Sequence, residues 1–121
     1  MDLSTAQKKE LQANVAHGVQ WFEETQPKTW RQDIRTTINE DSPLEMGDCH
    51  KCMISRYFDT PYYRGVEKAR PDLSDEQRMD WGARHGFDVP KTYDTYPNRR
   101  LLYFAWRYLE DLWMTELCKF N

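Results

Sequence analysis

The sequence predicts an all-α fold: one compact, mostly helical domain over residues 1–121, a bundle of about five helices with long N- and C-terminal helices and short helices and loops between. Three observations point there. Val and Ile number only seven in 121 residues, too few β-branched side chains for several buried strands. Two Ser-x-x-Gln patterns, Ser4 with Gln7 and Ser74 with Gln77, have the capping-box spacing in which side chains satisfy the orphan donors of a helix start. Apolar residues recur at helical spacing in both terminal segments. Leu, Ile, Val and Phe total only 21, but five Trp, seven Tyr and five Met supply the apolar mass of a core.

The first helix is expected from about Ser4 to Thr25, with Leu11, Val15, Gly18, Val19 and Phe22 as its apolar stripe and Pro27 beyond its end. Gly18 weakens a helix, so its place in the stripe implies close approach of a neighbour. Trp30, Ile34 and Ile38 suggest one or two further turns, followed by a loop to Gly47 with room for a brief extended piece. Asp48 is a candidate cap for a helix from Cys49 to about Phe58, and Thr60-Pro61 reads as an N-cap followed by Pro at the first helical position. The helix opened by Ser74 is expected to turn Met79, Gly82 and Ala83 inward and to close at Gly86. Residues 88–97 read as loop. The last helix, about Asn98 to Lys119, carries a broad apolar arc from Leu101 to Phe120, with Trp106 and Leu117 on one flank and Phe104 and Tyr108 on the other. So broad an arc makes it the spine of the domain.

Charge and cysteine usage narrow the function classes. The formal net charge is −3, balanced along the chain except at Asn39 to Asp48, where four carboxylates meet no Lys or Arg. That is too little negative charge for a nucleic-acid mimic and the wrong sign for a general phosphate binder. The N-terminus lacks the apolar core of a secretory signal, no apolar run approaches a membrane span, and three cysteines make a poor disulfide framework. A cytoplasmic setting without membrane contact is the expectation.

Cys49-His50-Lys51-Cys52 is the most suggestive local motif. A structural zinc site would need two more ligands; no second Cys-x-x-Cys or spaced His pair supplies them, and His17, His85 and Cys118 are the remote donors that remain. A thioredoxin-type redox pair would need a preceding strand. Packing of both thiols as small hydrophobes is the simplest account. Arg56, Tyr57, Tyr62 and Tyr63 form an aromatic-basic stretch, and Arg100, Tyr103 and Arg107 are neighbours at i, i+3 and i+7 on the last helix. Such residues can stack bases and meet phosphates, but the basic footprint of a nucleic-acid binder is missing. Arg and Tyr are also the types enriched at protein-binding hot spots. His17 with Trp21 and His85 with Trp81 are i, i+4 pairs explained by aromatic packing, and Glu116 in the last apolar arc is expected to be exposed near the chain end. None of the HExxH, GxSxG, P-loop or GxGxxG patterns is present, and no catalytic residue, cofactor or metal is assigned.

The order Gly18, Phe22-Glu23, Pro27-Lys28-Thr29-Trp30, Ile34, Cys49-His50-Lys51-Cys52-Met53-Ile54, Tyr62-Tyr63-Arg64-Gly65-Val66 and His85-Gly86-Phe87-Asp88 resembles small proteins encoded by actinobacteriophages and their prophages. The likeness spans roughly residues 17 to 88. It implies a phage origin and a cytoplasmic setting rather than a reaction. The expectation is a non-enzymatic binding or modulator protein acting on a host or viral protein through Arg56, Tyr57, Tyr62, Tyr63, Arg100, Tyr103 and Arg107. The alternative is a small zinc-stabilised domain using Cys49 and Cys52, with possible nucleic-acid contact.

Overall fold

The structure, a computed structural model, describes residues 2–119. It is all-helical: α1 (Thr5–Thr25), α2 (Trp30–Arg35), α3 (Met53–Phe58), α4 (Tyr62–Ala69), α5 (Asp75–Arg84) and α6 (Arg100–Leu117), with a 3₁₀ turn at Lys91–Tyr93. Both capping boxes form as the sequence predicts, Ser4 and Ser74 each accepting from the backbone N–H three residues on while Gln7 and Gln77 reach back. The brief extended piece is a single antiparallel bridge, Asn39 to Ser42.

The two long helices carry the core. On α1, Leu11, Val15, Gly18 and Phe22 are buried; on α6, Leu102, Ala105, Leu109, Trp113 and Leu117 are buried against them. Phe22 stacks on Trp30 with centroids 4.3 Å apart, Phe87 stacks on Trp113 at 5.4 Å, and the two pairs meet edge-on. Stacked and edge-on rings contribute beyond their buried area, and here they replace the missing aliphatic mass.

The His85–Phe87 turn is wedged between α1 and α6. Gly86 takes a positive φ of 73°, and the Trp113 indole donates to its carbonyl at 2.7 Å. A Cβ on Gly18 would collide with the His85 carbonyl and the Trp113 ring, so that glycine admits the close approach the stripe implied. At the same C-terminal end of α6, the Arg31 guanidinium lies over the Trp30 ring at 4.4 Å, donates to the Glu116 carbonyl at 3.1 Å, and meets the carboxylates of Glu23 and Glu116.

Several local expectations change. α3 begins at Met53 with Cys52 as its N-cap, because Asp48 caps a preceding turn instead, accepting from the His50 N–H at 2.7 Å. Pro61, not Thr60, holds the N-cap position of α4. Helix α6 is shorter than Asn98 to Lys119 by about a half-turn at each end, and Phe120 lies outside the described residues. Met79 is 55% exposed; α5 turns Trp81 and Gly82 inward, since Gly82 must receive the Tyr62 hydroxyl. Glu116 is half-buried rather than exposed, held by Arg31 and by Lys119 at 2.7 Å. No helix among the described residues is long and apolar enough to cross a membrane.

Candidate binding site

The 26 residues between α2 and α4, 36–61, contain only the six-residue α3, and Arg56 of that helix holds the stretch in shape. The Arg56 guanidinium donates to the carbonyls of Lys51 (2.8 Å), Thr37 (2.7 Å), Ser42 (3.0 Å) and Pro43 (2.7 Å), and to the hydroxyls of Thr37 and Ser42. Its planar fork reaches three points of the chain at once. The same loop is tied to α6 where the Met46 N–H donates to the Glu110 carboxylate at 3.0 Å, and to α4 where the Tyr62 N–H donates to the Cys49 carbonyl at 2.8 Å.

Residues 45–50 therefore stand as a rigid wall facing α6. Gly47 lies flat on the Trp106 indole; a Cβ there would come within 2.8 Å of the ring. Between wall and helix runs a groove of ≈890 Å³, with Tyr103, Phe104, Trp106, Arg107 and Glu110 on the α6 side and Glu45, Asp48, Cys49 and His50 opposite. Tyr103 is 59% exposed and sits edge-on to Trp106, with centroids 5.6 Å apart. Burial pushes the Glu110 carboxyl up, an effect opposed by the Met46 N–H.

Beneath the groove, sharing Gly47, Asp48, Cys49 and Trp106 with it, is a smaller pocket of ≈160 Å³ bounded also by Cys52, Tyr62, Phe87 and Asp88. Two of its lining residues carry buried polar atoms without a hydrogen-bond partner among the described residues, the Tyr62 hydroxyl, which packs against Gly82, and the Trp106 indole nitrogen. Among the described residues the Asp88 carboxylate accepts only from the Val89 N–H, at 2.8 Å, and burial raises its pKa. Burial also raises the Cys52 thiol, whose hydrogen reaches the Ser55 hydroxyl at 3.4 Å, and raises the Tyr62 hydroxyl strongly.

Of the residues singled out from sequence, Tyr103 and Arg107 line the groove and Tyr62 lines the pocket. Arg100 is exposed one turn earlier on α6, its guanidinium 6.0 Å from the Phe104 ring centroid. Tyr63 is 66% exposed on α4 and lines neither cavity. Arg56 and Tyr57, candidates for partner contact from the sequence, are both half-buried. Arg56 holds the loop, while Tyr57 packs edge-on against Phe22 and donates to Gln26 at 2.8 Å. Cys52 packs as a buried thiol, but Cys49 is exposed because it precedes the helix rather than opening it. Among the described residues no group of three or more His, Cys, Asp or Glu is placed to hold a metal ion.

Sequence reading missed Asp88, Trp106 and Glu110 as site residues. Nothing in their local pattern marks them, since each gains its meaning from a loop far away in sequence. His17 and His85, read separately, are neighbours across α1 and α5 with rings 6.2 Å apart. The His85 ring stacks on Trp81 at 4.6 Å, and burial lowers its pKa.

No known protein family, curated protein or solved structure matches this sequence.

Proposed function

We propose that this protein is a non-enzymatic binding protein that engages a protein partner through the groove between α6 and residues 45–50. One observation carries the reading: a groove with a fixed wall, an indole in its floor, and an exposed Tyr103 and Arg107 along its open edge. Tyr, Trp and Arg dominate the energetics of protein interfaces because each combines large contact area with a polar tip. The loop wall is held by Arg56 before any partner arrives, so little ordering cost falls on association. Glu45, Asp48 and Glu110 along the groove count against a phosphate backbone as its occupant. The resemblance to actinobacteriophage proteins supports a host or viral protein as the partner.

Affinity capture from host cells tests this. The wild-type protein is expected to retain a defined protein partner. The Tyr103→Ala/Arg107→Ala double variant is expected to lose at least about tenfold in affinity, the usual cost of truncating interface anchors. The Tyr63→Ala variant is expected to bind as wild type. A partner held equally by wild type and the double variant, or recovery of nucleic acid alone, overturns the proposal.

A further inference from the structure

His17 and His85 line neither the groove nor the pocket beneath it. They come from α1 and from the C-cap of α5, with rings 6.2 Å apart, and both reach carbonyls of the last turn of α5. The His17 Nδ1 lies 3.3 Å from the Arg84 carbonyl oxygen, and the His85 Nδ1 lies 2.7 Å from that of Trp81. A carbonyl only accepts, so each Nδ1 carries the hydrogen and each Nε2 is left to take up a proton. The His85 ring also stacks on Trp81 at 4.6 Å, and the His85 carbonyl lies against Gly18 of α1.

We infer that this imidazole pair is an acid-sensitive latch, holding the His85–Phe87 turn on α1 while the rings are neutral and loosening it when both are charged. One imidazolium at a helix C-terminus is favourable, but a second, 6.2 Å away, is repelled by it. Arg70, at the end of α4, lies over the Trp81 ring at 5.8 Å and adds a further cation, with its own carboxylate partner Asp72 at 2.8 Å. On α5, Arg84 pairs with Asp80 at 2.9 Å, and both Asp80 and Glu76 lie a turn or more before His85. Asp88, beyond the turn, lines the pocket beneath the groove. One turn from His17 on α1 stand Ala13, Asn14, Gln20 and Trp21, none of them charged. From α6 the turn meets the neutral Trp113 indole, which donates to the Gly86 carbonyl. Burial, and after it the charges of His17 and Arg70, hold the His85 pKa below its ordinary 6.5, against the pull of the Trp81 carbonyl. The unfolded chain therefore takes up this proton first, so stability that is present above pH 6.5 is lost as the pH falls below it. The latch is independent of what the groove binds.

Amide exchange of the full chain tests the latch. The reporters are the Gly86 and Phe87 amides, which donate to the Ala83 and Gly82 carbonyls, and the buried Leu109 and Trp113 of α6 serve as the internal standard. Between pH 7.5 and pH 5.5, corrected for intrinsic exchange rates, wild-type protection at the reporters is expected to fall at least about threefold relative to α6. In His85→Gln that ratio is expected to stay constant. His17 is exposed, so His17→Gln leaves the core intact. It is expected to shrink the fall and to move the titration of the His85 ring, followed by its carbon-bound proton resonances, to higher pH. A constant ratio in wild type, an equal fall in His85→Gln, or either a full fall or an unmoved His85 titration in His17→Gln overturns the latch.

Discussion

Replacing Arg56 should release the loop that forms the groove wall. In the native protein its guanidinium makes six hydrogen bonds of 2.7–3.3 Å, four to backbone carbonyls and two to hydroxyls, at residues 37, 42–43 and 51. A hydrogen bond to a charged group contributes about 1.5–3 kcal/mol, but the bonds of one side chain do not add, and surface carbonyls regain water when it is removed. Counting each of the three tethered points at ~1 kcal/mol gives a loss of about 3 kcal/mol for Arg56→Ala. Arg56→Lys keeps the charge but reaches one point only, so about 2 kcal/mol should be lost. Urea unfolding at pH 7 measures the first quantity. Amide exchange of residues 37–51 measures the second effect, accelerated exchange of the wall while the α1 and α6 amides stay protected. A loss in Arg56→Ala below about 0.5 kcal/mol, the range of an ordinary surface substitution, with unchanged exchange in the loop, would refute the reasoning.

Two further outcomes follow from the packing and the buried charge. Gly18→Ala should lower the urea midpoint by about 2–3 kcal/mol equivalent, because the new methyl meets the His85 carbonyl and the Trp113 ring; helix propensity alone demands the opposite sign, about 1 kcal/mol of gain, so a stabilised variant would disprove the close contact. Asp88→Asn should stabilise the protein at pH 7. Burial holds the folded-state pKa of Asp88 above the usual carboxylate value of 3.8, so the penalty for its charge is present above the folded pKa and disappears as pH falls through it toward the unfolded value. The difference between wild type and variant should therefore shrink in acid; a constant or growing difference in paired unfolding series from pH 7 to pH 4 would show that Asp88 is not the source.

The helical class, the two capping boxes and the inward stripe of α1 were all legible in sequence because they rest on local spacing. Ser4 and Gln7, or Ser74 and Gln77, need nothing beyond their own turn to do their work. Gly18 was legible for a related reason: a glycine in an apolar helical stripe has few purposes besides close approach. The errors fall where two local rules competed. Asp48 has a capping side chain, and both a turn and a helix could use it; the turn won because Met46 is held by Glu110 and the Cys49 carbonyl by the Tyr62 N–H. Met79 faces outward because α5 presents only a narrow edge to the core, and helical spacing does not say which edge faces Tyr62.

By itself, then, the sequence determined an all-α chain with aromatic rings in place of aliphatic mass, since periodicity, caps and composition are properties of neighbouring residues. It also named Tyr103 and Arg107, whose i, i+4 spacing places them together on any helix. Only the tertiary structure separated the arginines, turning Arg56 into a clamp on its own loop and leaving Arg107 at an open edge. Only the tertiary structure brought Asp88, Tyr62 and Trp106 to one pocket, because their convergence depends on a wall of the chain folded back across α6. Helix formation is written in contacts three and four residues apart; a site built from residues 62, 88 and 106 depends on how the helices stack.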